Sequence, residues 1–168
     1  MRYIKFAIVG LLALYILLTL IGLMMPSSVT VSRSVAINAP LDSVRNYTND
    51  IAKWRDWING ADTAFYKQLT PTTSQQGSSV MLGTYTITIL KIDADTIYTL
   101  WQGSSSKEQM NKLDLSRDSK TGSTIVNWAF QQHLNWYPWE RLSGMLYDKV
   151  WGPSMDASVA KLKLVCEQ

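Results

Sequence analysis

His133 is the only histidine and Cys166 the only cysteine of the 168-residue chain, so neither a multi-histidine cluster nor an intramolecular disulfide is available. His133 falls on the opposite alternation from Trp128 and Phe130 near a strand end, which predicts a solvent-facing side chain rather than a catalytic one. Cys166 lies two residues from the C-terminus on a helical stretch, where a small packing role outweighs a nucleophilic one. Asp50 and Asp56 straddle a helix break, and Asp93 and Asp95 flank a turn, where aspartates bond their own backbone. Neither spacing makes a carboxylate pair for acid–base work. Glu140 and Arg141 read as the solvated first turn of a helix, with the glutamate suited to the positive helix end. No GxSxG, HExxH, CxxC or phosphate-cradling glycine loop is present, so no catalytic residue, metal or cofactor is expected.

The aromatic side chains carry more information. Seven Trp and eight Tyr are many for this length, and each brings a large apolar body with one polar tip. Trp54, Trp57, Tyr85, Tyr98, Trp101, Trp128, Phe130 and Trp151, with the aliphatic Ile87, Leu142 and Leu146, would either line an apolar cavity or fill it. Tyr85 and Tyr98 would supply polar tips to a cavity that is otherwise apolar, the usual character of a small-molecule site. Trp136, Tyr137 and Trp139 stand together at a strand–helix junction and would suit an interface.

The elements that position these residues begin with Phe6 to Met25, an unbroken apolar run with no charge and no proline. Twenty helical residues rise about 30 Å, the thickness of a bilayer's hydrocarbon core. Twelve of them are Leu, Ile, Val or Phe. At a few tenths of a kcal/mol each, these favour insertion by about 4 to 7 kcal/mol as an upper bound. Arg2 and Lys5 precede the run, and the first cation after it is Arg33. That asymmetry predicts a cytoplasmic N-terminus and a domain outside the inner membrane of a bacterium, on the periplasmic side. A cleaved signal is the rival, but its core is normally shorter and Leu23-Met24-Met25-Pro26 offers no small-x-small site. The expected division is an anchor over 1–28 and one domain over 29–168. Beyond the run, fourteen Lys+Arg face thirteen Asp+Glu, so the domain is near neutral and nucleic acid is not an expected partner.

Val29, Val31, Arg33, Val35 and Ile37 alternate with small polar residues, which predicts a strand. Arg33 on its apolar face is anomalous and is expected to snorkel at a strand edge. Asn38 or Ala39 is expected to cap a helix opening near Pro40, and two short helices should turn a corner around Asn49-Asp50. From Thr63 to Leu134 about six short strands follow, separated by small polar turns, in an antiparallel meander. Pro138 to Val165 returns to helix, with Leu142, Met145/Leu146, Val150, Met155, Val159, Leu162 and Val165 expected on one face and a kink or break at Gly152-Pro153. A single sheet with one apolar face needs a cover, and only this helix is large enough.

The strings Val35-Ala36-Ile37-Asn38-Ala39-Pro40 with Val44, Asn49-Asp50-Ile51-Ala52-Lys53-Trp54, Gly122-Ser123-Thr124-Ile125-Val126-Asn127-Trp128 and Leu162-Lys163 occur in an order that resembles the START/Bet v 1-like superfamily (SRPBCC). It is also called the polyketide cyclase/dehydrase and lipid transport family. The resemblance covers about residues 29 to 167. It implies an α+β helix-grip fold, an antiparallel sheet wrapped on a long C-terminal helix. Members of this superfamily include lipid carriers, metabolite binders and aromatase/cyclases, and many bacterial members carry one N-terminal membrane helix.

Three functions are therefore expected in turn. The first is a membrane-anchored binding module that holds a lipid or other hydrophobic small molecule between sheet and helix, without chemistry. The second is a cyclase- or dehydratase-like enzyme on a polyketide or aromatic substrate, with Tyr85, Tyr98 or His133 moving protons. The third is an interaction module that meets an envelope protein through Trp136, Tyr137 and Trp139.

Overall fold

The computed structural model describes residues 2–103 and 107–168, with side chains from residue 3 onward. Helix α1 (Arg2–Met24) projects its apolar side chains into solvent and is long and apolar enough to cross a membrane. Strand β1 (Ser28–Ile37) leads into the short helices α2 (Leu41–Thr48) and α3 (Trp54–Trp57). Six strands follow: β2 (Tyr66–Gln68), β3 (Ser79–Leu82), β4 (Tyr85–Asp93), β5 (Thr96–Gly103), β6 (Gln109–Arg117) and β7 (Thr124–His133). Helix α4 (Pro138–Gly144) and the long helix α5 (Tyr147–Cys166) complete the chain. The turn expected over Gly103 to Ser106 lies outside the described residues beyond Gly103.

All seven strands form one antiparallel sheet in the order β1-β7-β6-β5-β4-β3-β2. The sequential meander accounts for β2 to β7, and β1 closes back on β7 with Arg33 opposite Trp128. The expected α+β helix-grip fold is therefore present. Alternation puts Val80, Leu82, Ile87, Ile89, Ile97, Leu113, Val126 and Trp128 on the inner face, and α5 covers them with Met155, Val159 and Leu162. Those three helix positions are spaced four and three apart, one face of an α-helix. The corner between α2 and α3 is pinned by Trp54, whose indole N–H donates to the Thr48 carbonyl at 2.8 Å.

Two helical expectations are corrected. The C-terminal helix breaks at Met145 and Leu146, not at Gly152-Pro153, and Pro153 lies inside α5. The break falls where Gly144 tucks against the end of β7; a Cβ there would come within 2.7 Å of Leu134 Cδ1. The second concerns the cap of α2, which falls on Pro40 itself rather than on Asn38 or Ala39. Of the two residues expected there, Asn38 and Ala39, Asn38 instead donates its backbone N–H to Glu167 Oε1 at 2.7 Å.

Candidate functional site

Between the inner face of the sheet and the first half of α5 lies an apolar chamber of about 570 Å³. Its walls come from four places. The sheet supplies Leu82, Tyr85, Trp101, Trp128 and Phe130; α5 supplies Val150, Trp151, Ser154, Met155 and Ser158. The segment after α3 contributes Ile58 to Ala61 with Ala64, and the β3–β4 turn contributes Gly83 and Thr84.

A relay of ring contacts builds the wall. Trp54 meets Trp57 at 5.5 Å between centroids, Trp57 meets Trp128 at 5.2 Å, and Trp128 meets Phe130 at 5.1 Å. Phe130 continues to Trp101 at 5.1 Å and to Trp151 at 5.4 Å, mostly in edge or tilted geometry. The indole N–H groups turn away to protein acceptors. Trp128 donates to Asn111 Oδ1 at 2.7 Å, Trp101 to Thr99 Oγ1 at 3.2 Å, and Trp57 to the Tyr47 carbonyl at 3.3 Å. What Trp101 and Trp128 offer the chamber is therefore carbon surface, while Tyr85 brings a phenol to the same wall. Ser158 is engaged as well, accepting the Asn59 N–H at 2.9 Å and donating to the Ser154 carbonyl at 2.7 Å.

Val150 and Trp151 also border a second cavity of about 500 Å³. It is lined by Lys107, Gln109, Gln132, Leu134, Glu140, Ser143, Leu146 and Tyr147, and so has charged side chains at its border that the first chamber lacks. The buried Gln109 and Gln132 side chains touch at 3.4 Å, and Gln109 Oε1 has no protein partner among the described residues. The same holds for Asn111 Nδ2, whose orientation the Trp128 donor fixes. An unpaired buried polar group costs about 1 to 3 kcal/mol. At the rim, Lys107 pairs with Glu140, and this pairing, ahead of the hydrogen bonds from Asn135, holds the Glu140 carboxyl below the usual range.

The structure sorts the residues singled out from the sequence. Tyr85, Trp101, Trp128, Phe130 and Trp151 line the apolar chamber. Trp54, Trp57 and Ile87 are fully buried beneath it and fill the core. Tyr98 is a correction: Ile97 and Thr99 face inward, so strict alternation sends Tyr98 to the outer face, opposite Lys112. Leu142 is exposed and lines neither cavity, and Leu146 reaches only the rim of the second. Glu140 and Arg141 are not a free solvated turn: Arg141 donates to the Asn135 carbonyl at 2.7 Å and to the Met25 carbonyl at 2.9 Å. His133 is exposed on the outer face. Cys166 is half-buried, and burial pushes its thiol up to about 11. Sequence reasoning missed Ala64, Ser154, Met155 and Ser158 as wall residues. The α5 members were readable as a stripe at 151, 154, 155 and 158, had small polar residues been admitted to an apolar face.

No three His, Cys, Asp or Glu side chains converge among the described residues. A family described as polyketide cyclase/dehydrase and lipid transport matches residues 28–167. The chain belongs to that family. Solved structures with the family's fold include a protein from Nitrosospira multiformis, 14% identical, with a TM-score of 0.64 over 80% of this chain and 94% of that one. A START superfamily protein from Mycobacterium smegmatis is 15% identical, with a TM-score of 0.61 over 83% and 97%. DynU16, from the dynemicin biosynthetic locus, is 14% identical, with a TM-score of 0.60 over 85% of this chain and 48% of that one. These likenesses show a START-like fold. No curated protein matches the sequence.

Proposed function

We propose that the domain binds a lipid or another hydrophobic small molecule in the chamber between the sheet and α5, and that α1 tethers it to a bacterial inner membrane with the domain on the periplasmic side. The observation that carries this reading is a chamber of about 570 Å³ walled largely by aromatic carbon, with the Trp101 and Trp128 indole N–H groups already bonded elsewhere. Its size falls within the range of ligand pockets. Burying about 200 Å² of ligand apolar surface contributes roughly 5 kcal/mol gross, before the costs of association. Among the described residues Tyr85 is the one titratable side chain in the chamber wall, with no carboxylate, imidazole or amine beside it there, which favours binding over proton-transfer chemistry. The family description includes lipid transport, which agrees with an apolar occupant. The orientation rests on Arg2 and Lys5 before α1.

Native mass spectrometry of the gently extracted full chain should release a retained hydrophobic molecule, and the delipidated protein should take up a fluorescent fatty acid. Ala64→Trp directs an indole into the chamber from its wall, and should reduce that uptake at least ~10-fold, the equivalent of about 1.4 kcal/mol. Uptake by Ala64→Trp equal to the parent's would remove the chamber as the site. Protease added to intact spheroplasts should digest the domain; protection until lysis would place it in the cytoplasm.

A further inference from the structure

Helix α4 and the start of α5 carry an apolar face that the sheet does not use. Trp139 and Leu142 lie three residues apart on α4, and Leu146 and Val150 lie four apart at the start of α5; Trp139, Leu146 and Val150 are 58%, 54% and 69% exposed. Met145 adjoins the stripe, and Trp136 stands exposed just before it. Helical periodicity alone sends this stripe to the core, yet the first turns of α5 meet the core through Tyr147 and Trp151 instead. Something else must cover it.

The position of α1 indicates what. Gly22, two residues before the end of that helix, packs on Pro138, where an added Cβ would lie 3.2 Å from its Cα. The Arg141 guanidinium holds the Met25 carbonyl at 2.9 Å. One face of α4, carrying Pro138 and Arg141, is thus seated on the last turn of α1. Trp139 and Leu142 follow one residue later, about 100° round the helix. At 1.5 Å per residue, Gly22 lies about 3 Å from the end of α1. A span that ends there puts α4 within the headgroup layer, several Å deep on each side of the hydrocarbon, where Trp and Tyr side chains concentrate.

We propose that Trp139, Leu142, Met145, Leu146 and Val150 form a membrane-docking face, laid in the lipid surface that α1 crosses. The proposal rests on reading α1 as a membrane span. Val150 belongs to the wall of the apolar chamber and Leu146 to the rim of the second cavity. Docking therefore turns both openings toward the lipid, and an apolar occupant reaches the chamber without crossing bulk water.

The full chain with Cys166→Ser, given one environment-sensitive label at Leu14→Cys, Val150→Cys or Lys120→Cys, tests this in phosphatidylcholine/phosphatidylglycerol vesicles. Brominated acyl chains quench from the lipid, and iodide quenches from water. Positions 14 and 150 should be quenched by bromolipid, with iodide quenching at least ~3-fold weaker than at position 120, as expected for interfacial burial. Adding Trp139→Asp and Leu146→Asp should raise iodide access at position 150 to that of position 120. Both residues are exposed, so the detergent-solubilised variant should keep its circular dichroism and melting temperature. Lipid quenching at 14 with full iodide access at 150 overturns the docking face while leaving the span intact. Iodide access at 14 removes the span and the proposal together. Shielding of 150 from both quenchers, or shielding that fades as protein is diluted in lipid, assigns the face to a protein partner or a second copy and overturns the proposal too.

Discussion

Arg33 stands on the inner face of β1, opposite Trp128, where a charge has no evident business. Its partners are far along the chain: Nη1 meets Asp148 at 2.9 Å and Nε meets Asp156 at 2.7 Å, both on α5. Between them at the same four-residue spacing sits Gly152, and a Cβ there would overlap the guanidinium. Asp148, Gly152 and Asp156 thus form one helical stripe built around the arginine. Both aspartates are well exposed, so each pair contributes only about 0.2 to 1 kcal/mol, and salt weakens it. Arg33→Met should lower stability by about 0.5 to 2 kcal/mol in low salt. Gly152→Ala should cost a similar amount by displacing the guanidinium, and the two changes together should cost little more than either alone. A denaturant double-mutant cycle measures this, and simple additivity would show that Gly152 does not hold the arginine's place. Cys166 yields a second prediction at this scale. With its thiol near 11, its thiolate fraction at pH 8 is roughly 200-fold below that of a free cysteine, so maleimide should react about 10²-fold more slowly than with a model thiol. Labelling at the model rate would mean the thiol is not held in an apolar setting.

At the scale of elements, the junction of β7 and α4 is where polar contacts take over from packing. Glu140 accepts the Asn135 N–H at 2.9 Å and pairs with Lys107 before β6, while Arg141 reaches back to Met25. Because the Glu140 carboxyl titrates lower in the folded chain than in the unfolded one, its stabilisation is fully present above its ordinary range, near pH 4. It fades as pH falls through the depressed folded value. The melting temperature should therefore drop below about pH 4, and part of that drop should vanish in Glu140→Gln, whose pH 7 stability is already lower. An unchanged acid profile in the variant would assign the acid sensitivity elsewhere. Period-two patterns were readable in sequence wherever one face was buried: β4 shows Tyr85, Ile87 and Ile89 against threonines, and β7 shows Val126, Trp128 and Phe130. Aromatic character alone does not place Tyr98: it stands three residues from Trp101, and strand parity puts the two on opposite faces. The helix break was placed by proline chemistry at Pro153. The structure puts it at Met145 because the close approach of Gly144 to Leu134 is a tertiary contact that no local propensity encodes.

For the whole molecule, the chamber and the span are joined through one small element. Among the described residues α1 meets the rest of the chain chiefly at α4, whereas the core runs from the sheet to α2, α3 and the second half of α5. The fold was legible because strand spacing and family strings report the sheet. The division of the groove into two cavities was not, since Val150 and Trp151 border both and bring together residues far apart in the chain. A chain beginning at Pro26 keeps the Ser27 carbonyl that accepts the Leu134 N–H at 2.8 Å and loses the contacts made by α1 and the Met25 carbonyl that accepts from Arg141. It should fold, with its melting temperature within about 5 °C of the full chain, because the buried apolar core is untouched. Its affinity for a fluorescent fatty acid dispersed in detergent should change by less than about twofold, since that depends on the chamber alone. Uptake from vesicles should fall much further. A tether confines the domain to a thin layer over the lipid, where the effective concentration of membrane is in the millimolar range, whereas the free domain must find dilute vesicles by diffusion. At micromolar lipid, the initial rate of transfer from labelled vesicles should be at least ~10-fold slower for the truncated chain than for the reconstituted full chain. Equal rates would mean that α1 sets only where the protein resides, and that the occupant reaches the chamber through water.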